Sequence, residues 1–417
     1  MDYISLIVLC LAIAAAFFFK VNTGLVAIAV SLVLGRAAGV SDSFLISSFN
    51  NSLFLMLFGV MYLFCIAQEN KTLDLLAKKT LALCKGKVKL FPPLLFVISA
   101  VISAVGPGLI SVTALMGVLI VALAKETDTQ PIRLLPFGVL GAFAGGLSPI
   151  TPSGIVAVTV SEENGISGVA MPLFWRMALT NVLYAVILYF FVFRWHKHKN
   201  TESAEKDKSQ EAIAPFQPKQ IATLAGIVLV AVLSTVFNIN VGLASFAVAV
   251  LLSVFRAADE SAALKKVPWN TLVMITGVGI LISLVTELGG IDLLSTGLSA
   301  LMGKHTAGAI ITALAGVMSW VSSASGVVMP TLIPTVPSLV ESLQNVNALE
   351  LVIGICVGAH FAALSPLSSC GALTLAAYSS SGDVSAKQRN RMFSQLFLLS
   401  ACGVVFAAVC ALVGLYR

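Results

Sequence analysis

Charged residues are scarce in this sequence. Only 11% of its 417 residues are Asp, Glu, Lys or Arg, whereas 58% are hydrophobic. A soluble domain carries about 25% charged residues, so this composition excludes a water-soluble fold. Long apolar runs such as 4–19, 53–66 and 178–193 are present instead, and a helix of about 20 apolar residues crosses the hydrocarbon core of a bilayer. We therefore predict an all-α polytopic membrane protein that is surrounded by a lipid bilayer.

Residue clusters typical of enzymes and metal centres are also absent. The four histidines are scattered, and none of the seven cysteines belongs to a Cys-x-x-Cys pair. His196 and His198 fall in a polar segment, where we expect them to be solvated. An enzyme would need a nucleophile beside a base, so we predict neither an enzyme nor a bound cofactor other than a coupling ion.

The basic residues are confined to a few loops. If the polar segment 195–218 faces the cytoplasm, so do all of the 25 Lys and Arg residues except Arg36, Arg176, Lys304 and Arg417. An excess of Lys and Arg in cytoplasmic loops is the positive-inside rule. We interpret the net charge of +6 as an orientation signal in a multi-pass protein of the inner (plasma) membrane, and we expect no nucleic-acid partner.

The two halves of the sequence share residues at a nearly constant offset. The matching pairs are Asn22 and Asn240, Gly24 and Gly242, Gly59 and Gly277, Glu69 and Glu287, Asp74 and Asp292, Gly108 and Gly326, Ser148 and Ser365, and Gly154 and Gly371. Internal repeats are typical of secondary transporters. We predict two repeats, 1–194 and 219–417, joined by a cytoplasmic linker at 195–218. Because each half is expected to cross the membrane an odd number of times, the second repeat is inverted.

One segment in each half is expected to enter the membrane and return. Segment 91–124 carries Gly106-Pro107-Gly108 near its centre, and segment 307–340 carries Ser322 to Gly326 at the equivalent place. Glycine and proline end a helix and reverse the chain. Bare backbone at this depth is tolerated only against protein or a water-filled cavity, so we predict two re-entrant hairpins whose tips line a site. The alternative is a kinked helix.

A second segment in each half is expected to be a broken transmembrane helix. Pro149 and Pro152 interrupt 134–160, and Pro366 interrupts 350–378. Neighbouring Ser and Thr residues can cap the restarting half-helix, which directs backbone N–H groups into the membrane centre. Duplicated broken helices mark the binding sites of transporters. The alternative is a pair of proline kinks that serve packing.

These four segments offer hydroxyls and helix ends rather than charges. Their interiors contain no Asp, Glu, Lys or Arg, and their one acid is Glu350 at the edge of the last. Four half-helix N-termini can hold a carboxylate without a fixed cation, and freed carbonyl oxygens suit Na+. The predicted substrate-binding residues are Gly106, Pro107, Gly108, Ser148, Thr151, Pro152, Ser153, Gly154, Ser323, Ser325, Gly326, Ser365, Ser368, Ser369, Cys370 and Gly371. The predicted Na+ ligands are Val105, Gly106, Thr151, Ala324, Ser325 and Ser368.

His360 is the one histidine within these segments. It can carry a coupling proton or serve as a hydrogen-bonded packing residue, and the sequence leaves both interpretations open.

The tips and breaks resemble the ion-transporter superfamily, in particular the divalent-anion/sodium symporters of the INDY type, with MatC-like dicarboxylate (malonate) carriers nearer still. Gly106 to Ala114 and Ser323 to Gly326 fall where that superfamily has Ser-Asn-Thr tips. Ser148 to Gly154 and Ser365 to Gly371 fall at its Gly-Thr-Pro-Pro-Asn-like breaks, although neither motif is intact. The resemblance implies an elevator-type homodimer, with Na+ near the tips, substrate between them, and a transport domain that moves against a scaffold.

The expected function is therefore uptake of small organic anions, di- or monocarboxylates, coupled to Na+ or H+. A cation/proton antiporter on the same scaffold is the alternative, although such proteins usually place carboxylates inside the membrane. A channel fits the paired re-entrant tips less well than alternating access does.

Overall fold

The fold consists of helices joined by short connections. The computed structural model describes residues 1–81, 90–126, 129–194, 215–237, 239–344, 346–379 and 384–417, and within these ranges it contains no strand. Most of the predicted linker, with His196 and His198, lies outside the described residues. The predicted all-helical fold class is confirmed.

The α-helices are α1 (Asp2–Phe19), α2 (Thr23–Ala37), α3 (Asp42–Ser47), α4 (Asn51–Glu69), α5 (Thr72–Leu81), α6 (Phe91–Ala104), α7 (Gly108–Glu126), α8 (Leu135–Gly146), α9 (Pro152–Glu163), α10 (Ala170–Leu188), α11 (Pro218–Thr235), α12 (Val241–Val254), α13 (Glu260–Lys266), α14 (Trp269–Glu287), α15 (Gly290–Leu301), α16 (Ala307–Val321), α17 (Met329–Leu332), α18 (Val336–Leu343), α19 (Ala348–Ala362), α20 (Ser369–Ser379) and α21 (Ala386–Leu412). Short 3-10 turns lie at Pro131–Arg133 and Ile333–Thr335, and π-helical turns at Tyr189–Arg194 and Ala324–Val328.

Several of these helices are suited to a bilayer. Within the described residues, five stretches are long and apolar enough to cross a membrane by themselves, namely Asp42–Glu69, Ala170–Phe191, Trp269–Glu287, Ala324–Leu343 and Ala386–Leu412. Shorter apolar helices accompany them, among them both arms of the first hairpin, the first arm of the second hairpin and the first arm of each broken span. The second arm of the second hairpin is the long stretch Ala324–Leu343. The chain is thus a multi-pass membrane protein with interrupted as well as continuous helices.

Four short helices, α3, α5, α13 and α15, lie outside the predicted hairpins and broken helices. Asp259 caps α13 by accepting a hydrogen bond from the Ala262 amide, and two lysines end that helix. Such caps and basic ends favour a short helix. Apolar-run reasoning misses these elements because their polar faces interrupt the hydrophobic run.

Helices α2, α4, α12 and α14, here called the scaffold, cross in pairs at glycines. A β-carbon on Gly24 of α2 would lie 2.1 Å from the Val273 carbonyl oxygen of α14. A β-carbon on Gly59 of α4 would lie 2.3 Å from the Gly242 carbonyl oxygen of α12. Small residues at these crossings let the two backbones touch. Gly24 matches Gly242 in the predicted repeat and Gly59 matches Gly277. The crossing of α2 with α14 therefore corresponds to the crossing of α12 with α4, with the two halves of the chain exchanged.

The hairpin arms pack against the broken helices in the same duplicated manner. Helix α6 lies on α8, where a β-carbon on Gly145 would approach the Ala100 carbonyl oxygen to 2.1 Å. Helix α16 lies on α19, where a β-carbon on Gly358 would approach the Thr312 carbonyl oxygen to 2.1 Å. These backbone contacts hold each hairpin tip at the level of a helix break.

Candidate functional site

Residues 105–108, here called tip 1, reverse the chain from α6 into α7, which begins at Gly108. Gly106 has φ +145° and Gly108 has φ +73°, backbone conformations that L side chains rarely adopt. A β-carbon on Gly106 would also lie 2.1 Å from the Phe64 ring of α4. Only glycine satisfies both conditions, so the predicted Gly-Pro-Gly reversal is confirmed.

Residues 147–151, here called break 1, interrupt the helix between α8 and α9. The Thr151 hydroxyl donates to the carbonyl oxygens of Gly146 and Ser148 at 2.7 Å, and it accepts from the Gly154 amide at 3.2 Å. A β-carbon on Gly154 would lie 1.9 Å from the Ser148 carbonyl oxygen. Thr151 therefore closes the end of α8 and caps the start of α9 with one buried side chain.

Residues 322–328, here called tip 2, form the equivalent reversal in the second half. Ser322 is extended, and the Ser323 hydroxyl accepts from the Gly326 amide at 3.1 Å. The predicted reversal at 322–326 is confirmed, although its second arm is less regular than that of tip 1. Pro330 and Pro334 divide that arm into short α and 3-10 segments, because proline removes backbone donors.

Residues 363–368, here called break 2, interrupt the helix between α19 and α20. The Ser365 hydroxyl accepts from the Leu367 amide at 3.2 Å, and the Gly371 amide donates to the Ala363 carbonyl oxygen at 2.9 Å. A β-carbon on Gly371 would lie 2.1 Å from the Ser365 carbonyl oxygen, matching the contact of Gly154 with Ser148. The predicted second break is confirmed.

The structure brings tips and breaks together. A β-carbon on Gly108 in tip 1 would lie 3.1 Å from the Pro152 ring at the start of α9. The π-helical turn of tip 2 contacts both α9 and α19. Helix α7 packs against α20, where the Thr113 hydroxyl lies beside the Cys370 thiol. Four helix starts from the two halves therefore surround one region.

The predicted site residues differ in how accessible they are. The buried ones are Gly106, Pro107, Gly108, Ser148, Thr151, Ser153, Gly154, Gly326, Ser365, Cys370 and Gly371. Those of intermediate burial are Pro152, Ser323, Ala324, Ser325 and Ser368, whereas Val105 and Ser369 are exposed. No contact ties the Ser369 side chain to the other breaks among the described hydrogen bonds.

The electrostatics of this region come from backbone and hydroxyl dipoles. The described ion pairs lie at helix ends, for example Lys266 with Glu69 at 2.6 Å and Arg417 with Glu350 at 3.1 Å. Glu350, the acid at the edge of the second broken helix, is thus paired away from the break. Helix N-termini carry about half a positive charge each, so the positive partial charge of this region comes from helix ends and not from a fixed cation.

Two hydroxyls beside the site were missed by sequence reasoning. Thr113 and Thr331 are 1% and 3% exposed, and each stands five residues after its tip glycine, Gly108 or Gly326. Apart from the weak thiol neighbour of Thr113, neither hydroxyl oxygen has a hydrogen-bond partner in the part of the chain that the structure describes. The repeat offset relates these two threonines, and that signal could have identified them.

His360 lies next to break 2 and is fully buried. Its Nδ1 donates to the Cys356 carbonyl oxygen at 2.7 Å, and Nε2 has no partner within the described ranges. The hydrogen bond fixes the ring, so the packing interpretation has geometric support, and the free Nε2 keeps the proton interpretation open.

Hairpins and broken helices that gather capped helix starts inside an apolar bundle define a membrane secondary transporter. Comparison with known families agrees, because the chain matches the family model described as CitMHS, citrate transporter, over residues 8–358. The chain belongs to this citrate transporter family. Its membership makes it a transporter and not an enzyme. The finer resemblance to INDY-type or MatC-like carriers stays a prediction.

Among solved structures, the chain is similar to the YdaH transporter of Alcanivorax borkumensis, which is described as having an unusual topology. The TM-score is 0.60 at 12% sequence identity, covering 88% of this chain and 86% of that chain. A likeness at this identity shows a shared fold. No curated protein matches the sequence.

Proposed function

We propose that this protein takes up small organic anions, di- or monocarboxylates, by cation-coupled symport. The family name adds citrate, a tricarboxylate, to the substrates that should be tested. The observation that carries the proposal is the position of the start of α9, which Thr151 caps. This helix start contacts tip 1 through Pro152, and α9 also contacts the π-helical turn of tip 2.

Anion binding rests on the helix starts. Each N-terminus stabilises an anion by about 0.3–1 kcal/mol, and by up to ~2 kcal/mol when partly buried. Starts contributed by both halves suit a solute with more than one carboxylate, because each negative group can face a different helix. The absence of a fixed cation in the interiors of the four segments leaves the empty site neutral.

The coupling cation supplies the charge that the protein lacks. Backbone carbonyls at the reversals and hydroxyl oxygens are hard ligands of the kind that Na+ accepts. For Na+ we propose Val105, Gly106 and Thr151 beside tip 1, and Ala324, Ser325 and Ser368 beside tip 2. A bound cation would order the tips first and the anion would then complete a neutral site. With H+ as the coupling ion, His360 would be the acceptor.

Movement follows from the division of the helices into two groups. The scaffold helices cross one another at glycines, and the hairpins and broken helices pack closely on one another and on α10 and α21. We propose that the hairpins and broken helices slide as one transport domain, in a homodimer held by the remaining helices.

Uptake into proteoliposomes tests the proposal. Purified protein is reconstituted and exposed to labelled succinate, malonate, lactate or citrate under an inward Na+ gradient, an inward H+ gradient, or neither. We expect accumulation of at least one carboxylate that collapses when its driving gradient is removed. Accumulation of none of these anions under either gradient would refute the proposed function.

A further inference from the structure

A cleft of about 320 Å³ opens beside the beginning of α21 (Ala386–Leu412). One wall is α21 itself, and the other is formed by the end of α20 and by the connection from α7 to α8. Small-molecule sites in proteins occupy about 300–1,000 Å³, so the cleft is large enough for a small solute or a headgroup. The polar side chains that line it are those of Thr129, Gln130, Tyr378, Gln388, Arg391 and Gln395.

The cleft is separate from the tips and breaks. Thr113 lies beside Cys370 near the starts of α7 and α20. Further along, a β-carbon on Gly117 would lie 3.1 Å from the Ala377 side chain, so the two helices run in the same direction. The cleft begins at Tyr378, eight residues beyond Cys370 and therefore about 12 Å further along α20 at about 1.5 Å per residue. In the predicted topology this is the cytoplasmic end of both helices.

The α21 wall presents hydrogen-bond donors. Gln388, Arg391 and Gln395 are spaced three and four residues apart, so they share one face of the helix. The Gln388 carboxamide oxygen is already used, because it accepts from the Ser385 amide at 2.9 Å and from the Ser385 hydroxyl at 3.0 Å. Gln388 therefore offers the cleft its NH2 group, which is a donor. Arg391 adds a planar fork of N–H donors that matches the two oxygens of an oxyanion.

The charge of the cleft has one sign. Among the described residues that line it, Arg391 alone is charged. The ion pairs found within the described ranges use two other arginines, Arg36 and Arg417. One guanidinium balances one negative group, and a carboxylate or a phosphodiester each supplies a single negative charge.

We propose that this cleft binds a singly charged oxyanion, the carboxylate of a cytoplasmic solute or the phosphodiester of an anionic phospholipid. Both groups accept paired N–H bonds from Arg391 and a further bond from the Gln388 carboxamide. The cytoplasm supplies the first group and its membrane leaflet the second, so the experiment has an arm for each source. The inference does not depend on the proposed uptake, because binding at the cleft is measured without transport.

Phenylglyoxal, a reagent that modifies arginine, tests the site on the unaltered chain. Arg389 is the internal control, because it is exposed, carries the same charge, and lies two residues away on another face of α21 and outside the cleft. The protein is held in nanodiscs of zwitterionic lipid with succinate, citrate or chloride at equal ionic strength. A parallel set contains phosphatidylglycerol and no soluble carboxylate. Mass spectrometry gives the rate of modification at each arginine.

We expect the modification of Arg391 to slow and that of Arg389 to stay unchanged. Because only the free site reacts, the rate falls by the factor 1 + [L]/Kd, which is about tenfold at about ten times Kd. Slowing by succinate or citrate in zwitterionic nanodiscs identifies a solute carboxylate, and slowing by phosphatidylglycerol alone identifies a lipid headgroup. An equal change at both arginines in every arm would overturn the inference.

A fluorescent label gives a second readout that does not need Arg391 to react. Ile132→Cys lies in the lining of the cleft and removes no polar group. With bimane on this cysteine, and the unaltered chain treated alike as background, the same ligands should change the fluorescence saturably. Arg391→Gln should abolish that change, and Arg389→Gln should keep it. No saturable change, or the same loss in both glutamine variants, overturns the inference.

Gly326→Leu separates the cleft from the region of the tips and breaks. The bimane response should persist in a chain that carries this substitution, and its loss there would assign the ligand to the tips and breaks and overturn the inference. Uptake by the unaltered chain is measured separately. Uptake without binding at the cleft leaves the proposed function standing, and binding at the cleft without uptake leaves this inference standing.

Discussion

Phe143 and His360 occupy matching positions in the two broken helices, and their rings pack against each other edge to face. The ring centroids are 6.3 Å apart and the planes meet at 80°. Phe143 stands five residues before Ser148, and His360 stands five before Ser365. The two halves therefore meet at this ring pair. At these matching positions one half has a phenyl ring and the other has an imidazole, whose Nε2 has no described hydrogen-bond partner.

Replacing each of these two rings by the other type, one at a time, should change the stability of the protein unequally. Phe143→His buries a second imidazole without a known partner, and an unsatisfied buried polar group costs about 1–3 kcal/mol. His360→Phe removes such a group, so we expect a smaller loss of stability or none. Thermal unfolding in detergent measures both, and equal losses would show that ring volume rather than polarity decides.

The tip glycines should tolerate alanine differently. Gly326→Ala places a methyl group against Met274, so Met274→Ala should restore uptake. Gly106→Ala meets the Phe64 ring and must also adopt φ +145°. Sparsely populated backbone conformations cost about 1–3 kcal/mol, so Phe64→Ala should restore little.

A bulkier residue at either tip, such as Gly106→Leu or Gly326→Leu, should abolish uptake while membrane insertion continues. Insertion is followed by membrane fractionation and uptake in proteoliposomes. Normal uptake by both leucine variants would remove the tips from the transport site.

The hydroxyl of Thr151 should contribute to both the stability of the protein and the binding of the anion. Thr151→Val keeps the shape but loses the cap, for which we expect a loss of about 1 kcal/mol in stability and a raised KM for the anion. Thr151→Ser should retain most of the activity. Thr276→Val is the matched control, because Thr276 is a buried threonine that bonds back to Leu272 within its own helix. An equal effect of both valine variants on KM would argue against a special role for Thr151.

Removing either partner of the Glu350–Arg417 ion pair should change the stability of the protein by a different amount. The Glu350 side chain is 7% exposed and that of Arg417 is 51% exposed. Arg417→Ala leaves the buried Glu350 carboxylate without its ion-pair partner, whereas Glu350→Gln leaves an arginine that water can solvate. We expect Arg417→Ala to destabilise the protein by about 1–3 kcal/mol, and Glu350→Gln by less. A larger loss for Glu350→Gln in thermal unfolding would contradict this reading.

The sequence predicted the hairpin tips and helix breaks more reliably than the short helices that connect the long ones. Gly106, Pro149 and Pro366 mark their breaks because glycine and proline act on their own backbone. It missed the short helices α5 and α15, whose apolar residues cover one face only. It also missed Thr113 and Thr331, since nothing local distinguishes a threonine that lacks a partner from one that has found one.

The sequence by itself determined that the chain enters a membrane, that it is duplicated, and where its helices stop, because composition, offset and turn chemistry are properties of the chain alone. The tertiary structure decided which scaffold side chain each tip touches, that Thr331 lacks a hydrogen-bond partner among the described residues, and that Phe143 meets His360. Those facts depend on how distant segments pack, and packing joins residues that the order of the chain keeps far apart.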